Sequence, residues 1–167
     1  MANHSFVVEA VMLASYGQLV LPRKSVHYFI PYTTILELYE MEQSSEPIMA
    51  DPDDNEHVKQ KIQELIAFFE LELNRKKIEQ ALAVPWKKSA PIRVNDNVAL
   101  TVVYAVENAQ FGDDFDPVET ELLLTAMREE APLLTDQIDF IDRAIEAEVP
   151  VQLIDIDDFE FALEDEE

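Results

Sequence analysis

Residues 51–83, DPDDNEHVKQKIQELIAFFELELNRKKIEQALA, set the architecture of the chain. Asp51 followed by Pro52 supplies a capping side chain and then a residue pre-set for the first helical position. At about 100° per residue, Val58, Ile62, Leu65, Ile66, Phe69 and Leu73 fall within a sector about 100° wide, while Lys59, Gln63, Glu64 and Glu70 lie outside it. That half has one face to bury. Past Leu73 the same projection places Lys76 in the middle of the apolar sector and carries Ile78 and Leu82 to the opposite side. The spacing therefore predicts a long central helix with a break near residues 74–77.

Upstream of it, residues 6–13 are apolar on both alternating faces apart from Glu9, the pattern of an interior strand. Tyr16 and Gly17 supply a turn, residues 18–21 read as a second strand stopped by Pro22, and the aromatic run 26–32 reads as a third. An N-terminal β-meander is expected. Thr34 with Glu37 three residues later fits a capping box opening a short helix.

Downstream, residues 92–94 and 98–106 flank Asn95-Asp96-Asn97, residues that tolerate a tight turn, and predict a β-hairpin. Asp116-Pro117-Val118-Glu119 repeats the start signal of the central helix, and that helix should end before Pro132. Thr135 is expected to cap another helix running to about Glu148, with Ile138, Ile141, Ala144 and Ile145 inward. Pro150 ends it, residues 151–156 read as a final strand, and residues 156–167 form an acidic tail open to disorder. Strands, helices, strands, two C-terminal helices and a strand make a single α+β domain.

The 167 residues are 48 % hydrophobic, enough for a packed core without staples. No cysteine is present, which removes disulfides, thiolate zinc sites and cysteine nucleophiles and fits a reducing, cytoplasmic setting. The N-terminus lacks a basic start and carries Glu9 inside its apolar run, so it does not read as a targeting segment. No window is long and apolar enough for a membrane span. The economy of the chain suggests a bacterial or phage-like source.

Charge is unevenly spread. Residues 1–93 hold 13 acidic and 10 basic side chains, a net of −3, whereas residues 94–167 hold 22 acidic and 2 basic, a net of −20. Such a field repels nucleic acid and anionic membrane and attracts basic proteins or divalent cations.

Catalytic motifs are scarce. With only two glycines, Gly17 and Gly112, phosphate-cradling loops and a glycine-flanked nucleophile elbow are excluded in their usual forms. His4, His27 and His57 share no metal-ligand spacing. Three acidic groups remain as oxygen donors for a hard cation. Asp51, Asp53, Asp54 and Glu56 are explained by helix capping. Asp113 and Asp114 follow Gly112 in a loop, and Asp155 and Asp157 would share one side of a strand. These last four constitute the metal-site alternative.

The feature best suited to a partner is the row Asp136, Asp139, Asp142 and Glu146, which advances by three, three and four residues along one face of a helix. Together with Asp155, Asp157, Asp158, Phe159 and Phe161 it makes a surface for a basic, or nucleic-acid-binding, protein. The leading expectation is a small acidic protein that acts by protein–protein interaction and needs no cofactor. A carboxylate-based metal-dependent enzyme is the alternative, and a structural or oligomerising domain a third.

Overall fold

The computed structural model describes residues 4–106 and 115–164. Among them the chain forms an α+β fold of eight helices and one six-stranded mixed sheet. β1 (His4–Val8) is followed by α1 (Ala10–Ser15) and α2 (Gly17–Val20) and then by β2 (Val26–Pro31). Next come α3 (Tyr32–Gln43), α4 (Pro52–Glu70) and α5 (Glu72–Ala81), before the pair β3 (Ile92–Arg93) and β4 (Val98–Val103). The chain continues with α6 (Pro117–Glu129), β5 (Leu133–Leu134), α7 (Ile138–Glu146), β6 (Leu153–Ile154) and α8 (Ile156–Ala162).

The strand order is β3-β4-β2-β1-β5-β6, with every neighbouring pair parallel except β3 and β4. Starting from β1, the chain first builds outward through β2 and β4, then returns past β1 to add β5 and β6. The order thus reverses at β1. Helices cover both faces: Phe6, Val8, Tyr28 and Ile30 meet α1, α3 and α4 on one side, while Val7 and Leu133 meet α6 and α7 on the other.

The expected N-terminal meander is replaced by a parallel crossover. Residues 18–21 belong to helix α2 rather than to a strand, and the run 6–13 divides at Glu9 into strand and helix. Apolar runs this short do not distinguish the two by periodicity, and parallel strands such as β1 and β2 require a connection that crosses a face of the sheet. Ala10, Met12, Leu13 and Ala14 fill that role and are buried.

The central helix begins as its sequence indicates, with the Asp51 side chain accepting from the Asp53 and Asp54 N–H groups. Its break lies at Leu71, ahead of residues 74–77, because Leu71 adopts an extended backbone (ψ 138°). Asn74 helps hold the corner by donating Nδ2–H to the Phe68 carbonyl at 2.8 Å. The new direction buries Ile78 and Ala81 and leaves Leu73, expected inside, 64 % exposed.

Thr34 does not open a capping box. The residue before α3 is Pro31, and Thr34 Oγ1 accepts from the Ala10 N–H at 3.1 Å while donating to the Pro31 carbonyl at 2.9 Å. One hydroxyl thereby ties the end of β1 to the end of β2. The hairpin is as expected: Ile92 pairs with Leu100 and Arg93 with Ala99, and Asn95 Oδ1 accepts from the Asn97 and Val98 N–H groups.

Residues 156–167 do not form a loose tail as far as Glu164. Asp155 and Asp158 make a reciprocal capping box for α8, and Phe159 enters the core against Phe6 and Tyr28, 1 % exposed. Burying an aromatic ring of this size removes on the order of 150–250 Å² from water and accounts for the helix closing on the sheet.

Candidate functional site

Parallel strands deliver whatever follows them to one edge of the sheet. Glu9 follows β1, Glu37 lies in the second turn of α3 after β2, and Asp136 and Gln137 follow β5. Asp116 caps α6, which packs over β1 and β2. The carboxyl ends of the strands on either side of the reversal point therefore gather acids at the crevice that such a reversal leaves in an open parallel sheet, with Glu9 buried, Glu37 half-buried and Asp116 and Asp136 exposed.

Within it, Glu9 is buried and its Oε1 accepts from Gln137 Nε2 at 2.9 Å. Burial, then the charges of Glu37 and Asp136, push its carboxyl up to about 7, against the Gln137 hydrogen bond, with Asp116 adding to the rise. Glu37 is likewise raised to about 7, by burial first and then by Asp116 and Glu40. Asp136 Oδ2 accepts from the Tyr16 hydroxyl at 2.8 Å, and burial together with that bond lifts the phenol to about 12. Asp116 Oδ1 accepts from the Glu119 N–H at 2.7 Å. Among the described residues, no lysine or arginine is among the groups acting on Glu9 or Glu37.

A crowd of carboxyls without a counter-ion has two ways to lower its repulsion: hold protons or bind cations. Among the described residues, no three carboxylate or histidine side chains converge into a ready metal cage.

A few residues away the same kind of charge is neutralised. Arg143 on α7 grips Glu119 with two donors, at 2.9 and 2.7 Å, and reaches Asp139 at 3.0 Å. Its guanidinium also lies over the Phe115 and Phe140 rings. The Arg143 hydrogen bond holds the Glu119 carboxyl below its ordinary range.

The residues anticipated as a site fall in several places. Asp136 enters the crevice. Asp139, Asp142 and Glu146 are exposed on α7, Asp139 paired with Arg143. Asp136 precedes the helix, so the four acids are not one helical row, and Thr135 is not the cap, since Gln137 is. Ile138 and Ile145, expected inside, are 74 % and 65 % exposed; Ala144 is buried as expected, and Phe140 is buried with it. Phe161 is exposed, but Phe159 leaves the contact surface for the core. Asp155 and Asp157 do not share a strand face, because Asp155 caps α8 and Asp157 lies in its first turn. Asp113 and Asp114 lie outside the described residues.

Sequence reading missed Glu9 and Glu37 as site residues. The signal was there for Glu9: a lone acid inside an apolar run marks either a fault in the core or the end of a strand. His27 on β2 is partly buried, bonded to Thr101 Oγ1 at 2.6 Å and lowered in pKa by burial. No described helix is long and apolar enough to cross a membrane. No protein-family model matches the chain, and no curated protein matches it.

Proposed function

We propose that the protein is a divalent-cation-dependent enzyme whose site is the crevice between Glu9, Glu37, Asp116 and Asp136. The observation that carries this reading is the convergence of Glu9, Glu37, Asp116 and Asp136 near the reversal point, where Glu9 and Glu37 are each raised by burial and by neighbouring acids and, among the described residues, no lysine or arginine acts on either. Glu9 and Asp136 would hold the ion, Glu37 and Asp116 would face its waters, and Gln137, which donates to Glu9 at 2.9 Å, would orient that carboxylate. Bound Mg²⁺ or Mn²⁺ would polarise a phosphoryl oxygen and position water for attack. The surrounding negative field favours a small phosphate-bearing substrate over a long polyanion. A cysteine-free chain suits the reducing cytoplasm in which such substrates are found.

Thermal melting under MnCl₂ and MgCl₂ titration tests the proposal. A specific site gives a saturable rise, equivalent to about 2.7 kcal/mol at a hundred times the dissociation constant. The rise should vanish in a Glu9→Gln, Asp136→Asn variant and weaken below pH 7, where protons compete for the same oxygens. A rise that NaCl reproduces, or that survives in the variant, would sink it.

A further inference from the structure

α7 is sided in an unusual way. Phe140 and Ala144 point into the core and Ile141 is half-buried, yet Ile138 and Ile145 are 74 % and 65 % exposed. Ile138, Ile141 and Ile145 follow a spacing of three and four, so they form one continuous stripe on the helix. The apolar face of α7 is therefore wider than its contact with the sheet. Asp142 and Glu146 run along the outer margin of the stripe, both exposed, and Arg143, the basic residue of this helix, is turned away onto Glu119 and Asp139.

We propose that this stripe is a docking surface for a basic amphipathic helix of another protein. The charge beside it selects the occupant: apolar residues at helical spacing would cover Ile138 and Ile145, and flanking lysines or arginines would meet Asp142 and Glu146. Two copies meeting stripe to stripe would set Asp142 and Glu146 against the same acids, a like-charge contact that disfavours self-association. This surface begins beside the crevice, Ile138 following Gln137 in the chain, but its docking role does not depend on the crevice's function. Asp139, already held by Arg143, contributes to the field more than to the contact.

The probe is a fluorescein-labelled peptide of about fourteen leucines and lysines, patterned as an amphipathic helix, with a glutamate-for-lysine peptide as control. Fluorescence anisotropy should show binding of the basic peptide alone. An Ile138→Ser, Ile145→Ser variant should weaken it at least about tenfold, and Asp142→Asn with Glu146→Gln should slow association and flatten its salt dependence. Both pairs are exposed, so melting temperatures should match the parent; Ile138→Ser alone serves if the double variant melts early. Equal affinity of the parent and the isoleucine variants overturns the proposal. So does concentration-dependent self-association in sedimentation that Ile138→Ser abolishes, because the stripe is then covered by a second copy.

Discussion

Two acidic regions meet near the start of α6, and they treat the same chemical group in opposite ways. In the seam between α6 and α7, Glu119 faces Arg143 and its carboxyl is held below the ordinary range. In the crevice, Glu9 and Glu37 face other acids and are pushed up to about 7. The seam shows that this fold can neutralise a carboxylate with a well-placed guanidinium. Among the described residues the crevice receives no such group, so its carboxyls carry a standing cost. A cost of that kind persists at sites that use it.

Breaking the seam should have the largest effect. Arg143→Ala removes two donors from Glu119 and leaves that carboxylate, 13 % exposed, without its partner. We expect a loss of about 2–3 kcal/mol in urea unfolding at pH 7. Arg143→Lys should recover only part of it, since an ammonium cannot reproduce the fork. The sign with pH follows from the lowered carboxyl: the seam stabilises above the unfolded value of Glu119 and fades as pH falls through the folded one.

Glu9→Gln should act in the reverse direction. With its folded carboxyl near 7 and a model value of 4.5, Glu9 favours the folded state fully only below 4.5, and that contribution is lost as pH rises through about 7. In chelator-containing buffer the amide variant should match the parent near pH 4.5 and exceed it at pH 8, by at most the roughly 3 kcal/mol that a rise from 4.5 to about 7 represents. A parent whose stability is flat between those pH values would remove the contrast between the two regions. Glu37→Gln should show the same sign at smaller amplitude, under about 1 kcal/mol and sensitive to salt, because its carboxyl is only half-buried and solvent screens it.

Local chemistry made part of this legible in advance. Asp51-Pro52 and Asp116-Pro117 each start a helix where their residue types require one, and Asn95-Asp96-Asn97 turns a hairpin through the Asn95 side chain. The face of α4 was equally readable, since Val58, Ile62, Ile66 and Phe69 are buried as their spacing demands. Failures occurred where two local patterns compete. The run 6–13 satisfies a strand and a helix alike, and Thr34 with Glu37 satisfies a capping box that the structure does not use. Both failures hid a crevice residue, because Glu9 looked like an interruption and Glu37 like a cap.

α7 failed for a different reason. Ile138, Ile141, Ala144 and Ile145 fall together in helical projection, so they looked like the buried face. The sheet selects Phe140 and Ala144, whose ring and small side chain fit beneath Arg143 and against α6. Which part of a wide apolar face is buried depends on the shape of the neighbour, and a helical projection contains no neighbour.

What the sequence settled alone was local: where helices begin, where the hairpin turns, that cysteine chemistry is absent, and that the negative charge is concentrated in the later half. Backbone dihedrals, capping oxygens and net charge are properties of short segments, and they survive in any fold. Tertiary structure decided that strands β1, β2, β4, β5 and β6 run parallel. It thereby brought Glu9 within hydrogen-bonding reach of Gln137, 128 positions away. A carboxyl's proton affinity is set by what surrounds it in space, so the crevice came into existence only when the sheet closed around it.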